Sequence, residues 1–151
     1  MITEICGKLN SIKDDAFIEK GMKYSQCELL SFFNSKEIVI TSDLMDFYTS
    51  IAFCDDYDYF DGLARFIPIL SEDQVIEYNV YVSNMDKPII LIPIFDMISE
   101  CRIFYASIDG DGHSKIFIDA LVDEVWGWCE KYSSLESFLE DIFMNKMDIF
   151  C

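Results

Sequence analysis

Between Ala64 and Asp119 five runs of β-branched and aromatic residues follow one another: Arg65 to Leu70, Val75 to Val82, Ile89 to Phe95, Cys101 to Ser107 and Lys115 to Asp119. Side chains of this kind suit a pleated, half-buried surface, so five successive strands and one antiparallel sheet are predicted. In the second run Ile76, Tyr78, Val80 and Val82 alternate with Val75, Glu77, Asn79 and Tyr81, the pattern of a sheet covered on one face. Asp109-Gly110-Asp111-Gly112 separates the last two runs, and glycine supplies the positive φ of a tight reversal, so Cys101 to Asp119 is read as a hairpin.

Helical patterns flank this block. Ser25 and Glu28 form a capping box ahead of Leu29, Leu30, Phe32 and Phe33, predicting a short helix that ends near Asn34 and Ser35. Ile38-Val39-Ile40 reads as a brief extended piece, after which Thr41 or Ser42 can cap a helix with Asp43 at its positive end. Leu44, Phe47, Tyr48 and Ile51 then fall on one helical stripe. At the other end Ser133 and Glu136 form a second capping box, with Leu135, Phe138, Leu139, Ile142 and Phe143 at helical spacing. Helices, then strands, then a helix define an α+β domain: a single antiparallel or mixed sheet of about five to six strands with flanking N- and C-terminal helices. The 151 residues contain no repeat and no Gly/Ser/Pro linker, and 1–151 is read as one domain.

The surface is strongly acidic. Twenty-eight Asp and Glu against eleven Lys and Arg give a formal charge of −17, while 13 Phe, 8 Tyr and 2 Trp supply enough apolar area for a core. That charge repels phosphate backbones and anionic lipid, excluding nucleic acid and membrane surfaces as expected partners; it serves plain solubility, the commoner reason for such a charge, and it also attracts a basic protein. The longest nearly uncharged apolar run, Pro88 to Phe95, is less than half of the roughly 20 residues that span a bilayer. No signal-peptide pattern is read at Met1 to Asn10, and the six cysteines are scattered without a C-x-x-C pair, predicting reduced thiols in a cytoplasmic protein.

Few residues suggest chemistry. The sole histidine, His113, lies beside the hairpin turn and is read as a solvated turn residue. Counted from Asp109, the twelfth position of a calcium loop is Ala120 where a bidentate Glu is needed, so the turn reading prevails. No phosphate-binding glycine motif occurs. No catalytic residue, metal or cofactor is assigned, and Trp126 and Trp128 are read as packing residues.

The segment Cys54-Asp55-Asp56-Tyr57-Asp58-Tyr59-Phe60-Asp61-Gly62 concentrates four carboxylates among three rings. Asp55, Asp56, Asp58 and Asp61 can pair with Arg and Lys of a partner, and Tyr57 and Tyr59 can add rigid contact area. The same pattern also fits a solvated connection whose rings fold back on the core.

Two segments, taken in order, resemble the SUKH superfamily of bacterial toxin-immunity proteins and related regulators. Ile40-Thr41-Ser42-Asp43-Leu44-Met45-Asp46-Phe47-Tyr48 resembles the family's early helix, followed by a loop and a strand at Arg65 to Leu70. Cys101 to Phe143 resembles its ending: strand, turn, Ile116-Phe117-Ile118, Val125-Trp126, and the Ser-capped helix with Phe138-Leu139-Glu140. Where members often carry a Gly-rich turn, this chain has Ser50-Ile51-Ala52-Phe53-Cys54. The resemblance implies a non-enzymatic protein that binds and neutralises a cognate toxin domain, commonly a nuclease. A regulatory or scaffold module of the same fold is the alternative, ahead of an enzyme using dispersed acids or a metal.

Overall fold

A computed structural model describes residues 1–11, 23–53, 59, 63–72, 74–82, 87–97, 102–108, 112–122 and 125–144. Its helices are α1 (Ile2–Ser11), α2 (Gln26–Ser35), α3 (Ser42–Ser50) and α4 (Leu135–Phe143). Its strands are β1 (Ala64–Phe66), β2 (Glu77–Val80), β3 (Ile89–Met97), β4 (Arg102–Ile108), β5 (Ile116–Val122) and β6 (Val125–Tyr132). This is the expected α+β arrangement, and every strand pair is antiparallel.

The helix starts follow from their caps. At α2 the Ser25 hydroxyl accepts the Glu28 N–H at 3.1 Å while the Glu28 carboxylate accepts the Ser25 N–H at 3.0 Å, so two otherwise orphan donors are satisfied reciprocally. Thr41 caps α3, and Leu44, Phe47, Tyr48 and Ile51 all reach zero exposure, as their spacing predicts. The cap of α4 departs from the expectation by one residue: Ser134, not Ser133, accepts the Ser137 N–H, at 3.1 Å. The cause is tertiary, because the Ser114 carbonyl accepts the Leu135 N–H at 3.1 Å and anchors the first turn there.

Two strands are shorter than their sequence runs. Pro68 has no N–H to donate, so the first run leaves the ladder after Ile67 donates to the Ile94 carbonyl at 2.9 Å. In the second, Asn79 takes a φ of 56° beside a register shift, which breaks the alternation and leaves Tyr78 46% exposed instead of aligned with Val80. Among the described residues Ile38 to Ile40 pairs with no strand.

The sheet runs β1-β3-β4-β5-β6, with β2 also on β3. β1 pairs with residues 95–97 and β2 with residues 89–91, so the two short strands lie end to end along one edge of β3. A bulge between Pro93 and Phe95 interrupts β3, a setting in which a strand tolerates a residue without an N–H. The bulge also keeps Phe95 level with Phe104 and on the face of Ala106, Ile116 and Ile118. That face carries the helices: Phe138 of α4 packs at 5.7 Å from Phe95 and 5.0 Å from Phe104, and Phe47 of α3 at 5.4 Å from Phe66.

Candidate functional site

The opposite face of the sheet is organised differently. Alternation places Leu91, Tyr105, Phe117 and Asp119 there, and pairing adds Trp128 opposite Asp119, Glu130 opposite Phe117, Glu77 opposite Leu91 and Val80 opposite Ile89. Val80, Ile89, Leu91 and Phe117 form a second buried apolar cluster, with Val82, Tyr105 and Trp128 packed against it. Among the described residues no helix contributes to this cluster.

Phe117 is fully buried although no described helix covers it. The rings of Tyr105 on β4 and Trp128 on β6 meet across the intervening β5, 4.8 Å apart and edge to face at 82°. Both rings are themselves half-buried, so they form a roof with an apolar underside and a wet upper side. Such aromatic pairs favour the edge-to-face arrangement because the electron-poor edge of one ring meets the electron-rich face of the other.

Carboxylates border the roof. Burial pushes the Tyr105 hydroxyl above its ordinary value of 10.0, and the charges of Glu77 and Asp119 push it further the same way. Tyr105 therefore stays protonated at neutral pH and keeps its O–H available to donate. Glu130 adds a third carboxylate, with Lys115 3.9 Å away as a loose ion pair. The result is an aromatic pair over an apolar floor with acids at its rim, on a chain whose charge is −17.

Of the site residues read from sequence, Asp55, Asp56, Tyr57, Asp58 and Asp61 lie outside the described residues. Tyr59 is described, and it is turned inward. Its ring is 4% exposed and 5.2 Å from Phe66, and its hydroxyl donates to the Leu9 carbonyl at 3.2 Å. Its N–H and carbonyl also pair with Ala64, both at 3.0 Å, which brings residues 59 and 64 together. Burying a tyrosine body while satisfying its polar tip is the favourable outcome for this side chain, so Tyr59 serves the core and offers no contact area to a partner. His113 is exposed.

The open face was not read from sequence. Its residues come from β2, β3, β4, β5 and β6, and only the strand registers bring them together. The signal available was the period-two spacing of Phe117 and Asp119, which marks a face but does not say that no described helix covers it.

Elsewhere, a groove of about 410 Å³ lies between α2 and the start of β2, with Phe32, Leu70, Gln74 and Tyr78 in its walls and Lys36 as its charged residue. Among the described residues no group of three or more His, Cys, Asp or Glu side chains is placed to hold a metal ion, and no helix is long and apolar enough to cross a membrane. Compared with family models, with curated proteins and with solved structures, the chain gives no match.

Proposed function

We propose that this chain works by binding a basic protein, and that the partner is a toxin domain which it neutralises. The observation that carries the reading is the Tyr105–Trp128 pair, set over an apolar floor and bordered by Glu77, Asp119 and Glu130 on a face that no described helix covers. Rigid aromatic area with a charged rim is what a protein interface uses for affinity at its centre and for selection at its edge, and here the rim is mainly acidic, with Lys115 beside Glu130. The charge of −17 supports the choice of a basic partner, since it speeds encounter with such a surface and repels acidic ones. The order of elements that resembles the SUKH superfamily supports toxin neutralisation over other binding roles, and a cytoplasmic site of action fits that role. The carboxylates of Asp55, Asp56, Asp58 and Asp61 are a second candidate contribution.

The test is rescue. If a toxin domain is encoded beside this chain, cells expressing it should survive when the chain is co-produced, and the purified pair should associate less tightly as salt rises. Continued killing at matched expression would overturn the toxin reading. Converting the four aspartates to Asn decides the acidic segment separately: unchanged affinity would remove it from the interface.

A further inference from the structure

We infer that the open face of the sheet is an arginine-selective docking surface, built to take a guanidinium of a basic protein partner against the Tyr105–Trp128 pair. The inference rests on the protein-binding reading and names the group that is recognised.

Three features of the face point to arginine over lysine. A guanidinium is planar and weakly hydrated, so it can lie flat on an aromatic ring and shed water there, whereas an ammonium is compact and holds its water strongly. The Tyr105–Trp128 pair provides such a surface, because an edge-to-face pair at 82° leaves ring area that neither partner uses. Beneath it Leu91 and Phe117 are fully buried, so water is excluded on the protein side and the attraction between a cation and the ring is strengthened.

The third feature is the placement of the acids. Glu77 on β2 and Asp119 on β5 approach Tyr105 from two different strands, and both act on its hydroxyl. A guanidinium carries five N–H donors in a fixed fork and can reach two carboxylates while its plane rests on a ring. The aromatic pair thus fixes where the cation lies and the carboxylates fix which way its donors face. Lys115, the cation just before β5, is directed to Glu130 and not to this pair of acids.

The test uses the folded chain and two peptides of equal charge, Ac-Gly-Arg-Gly-Arg-Gly-NH2 and its lysine counterpart, titrated at low ionic strength and followed by two-dimensional NMR. Trp128→Phe assigns the indole N–H of Trp128 while keeping a ring in place. The arginine peptide should shift that indole signal together with the amides of Tyr105, Phe117 and Asp119, and should bind about threefold tighter than the lysine peptide. Asp119→Asn and Glu77→Gln should each weaken the arginine peptide several-fold and narrow the difference between the two. Equal binding of both peptides, or shifts scattered over the surface and insensitive to Asp119→Asn, would overturn the inference by showing that bulk negative charge accounts for the attraction. The two readings fail differently. Neutralisation that survives Glu77→Gln, Asp119→Asn and Trp128→Phe would sink the arginine site and keep the partner-binding role, whereas arginine-selective shifts without rescue would keep the site and sink toxin neutralisation.

Discussion

The carboxylate of Asp43, in the first turn of α3, accepts the backbone N–H of Ser114 at 2.7 Å across 71 residues of sequence. Its other oxygen accepts the Leu44 N–H at 2.8 Å and the Thr41 hydroxyl, and the Thr41 and Ser114 hydroxyls lie 3.0 Å apart. Ser114 is fully buried and its carbonyl accepts the first N–H of α4. One polar knot therefore ties α3, the segment leading into β5 and α4 into a single arrangement.

Removing that carboxylate leaves the Ser114 N–H buried without its acceptor. Asp43→Ala should cost about 2–3 kcal/mol, whereas Asp43→Asn, which keeps one acceptor oxygen, should cost less than half of that. Urea denaturation of both variants measures the difference. A loss below about 0.5 kcal/mol for Asp43→Ala would show that the knot does not hold the helices.

Glu37 is a site where stability can be raised. It follows α2 with a φ of 60°, its N–H donates to the Asn34 carbonyl, and the next N–H, of Ile38, donates to the Phe33 carbonyl. This is a Schellman closure with a non-glycine residue in the left-handed position, reinforced by burial of Ile38 and Phe33 in one cluster. Glu37→Gly should stabilise the fold by about 1 kcal/mol, because glycine adopts that φ without the Cβ clash. Thermal unfolding should rise by a few degrees, and an unchanged or lower midpoint would refute the assignment of strain.

Asn10 acts as a clamp between α1 and the end of α3. Its amide donates to the Ser50 carbonyl and accepts the Ala52 N–H, both at 2.9 Å, which satisfies groups that the helix end leaves open. Asn10→Ala should cost about 1–2 kcal/mol by chemical denaturation, and hydrogen exchange at Ala52 should accelerate.

Alkaline pH should unfold the protein through buried acids that must stay protonated. Burial pushes the Cys6 thiol from 9.0 up to about 12, with Asp46 adding to the shift, and burial raises the Tyr48 hydroxyl as well. For a raised folded-state value the unfolded chain gives up its proton first, so above pH 9 it binds fewer protons than the native state and stability falls as pH rises. For Cys6 that window runs from pH 9 to about 12. In the native protein at pH 8, alkylation should mark the exposed Cys27 and spare the buried Cys6. Mass spectrometry of the two peptides checks this, and equal labelling would contradict the packing of α1.

What local chemistry dictates was readable in the chain. The Ser25–Glu28 box, the stripe from Leu44 to Ile51 and the central β3 to β5 runs each depend on neighbours within a turn or on period-two alternation, and they appear where their spacing puts them. The departures have equally local or identifiable causes: Pro68 ends β1, Asn79 turns Tyr78 outward, and Ser114 shifts the cap of α4 by one residue. For the proposed binding surface, sequence supplied the sign of the charge and the supply of aromatic rings. It left Tyr59 open as contact area or as a ring folded back on the core, and packing against Phe66 took that ring into the core.

The sequence by itself determined the α+β class, the capping box of α2 and the acidic balance of charge, since each follows from side-chain type and short-range spacing. Only the tertiary structure decided which face of the sheet the helices cover, and so which residues meet on the other. Glu77, Tyr105, Asp119 and Trp128 come together because β5 lies between β4 and β6 and β2 shares an edge with β1. Strand order and register are set by long-range packing, with a bulge at Pro93 and Phe95 choosing the inward side of β3, and no periodicity within one segment encodes that choice.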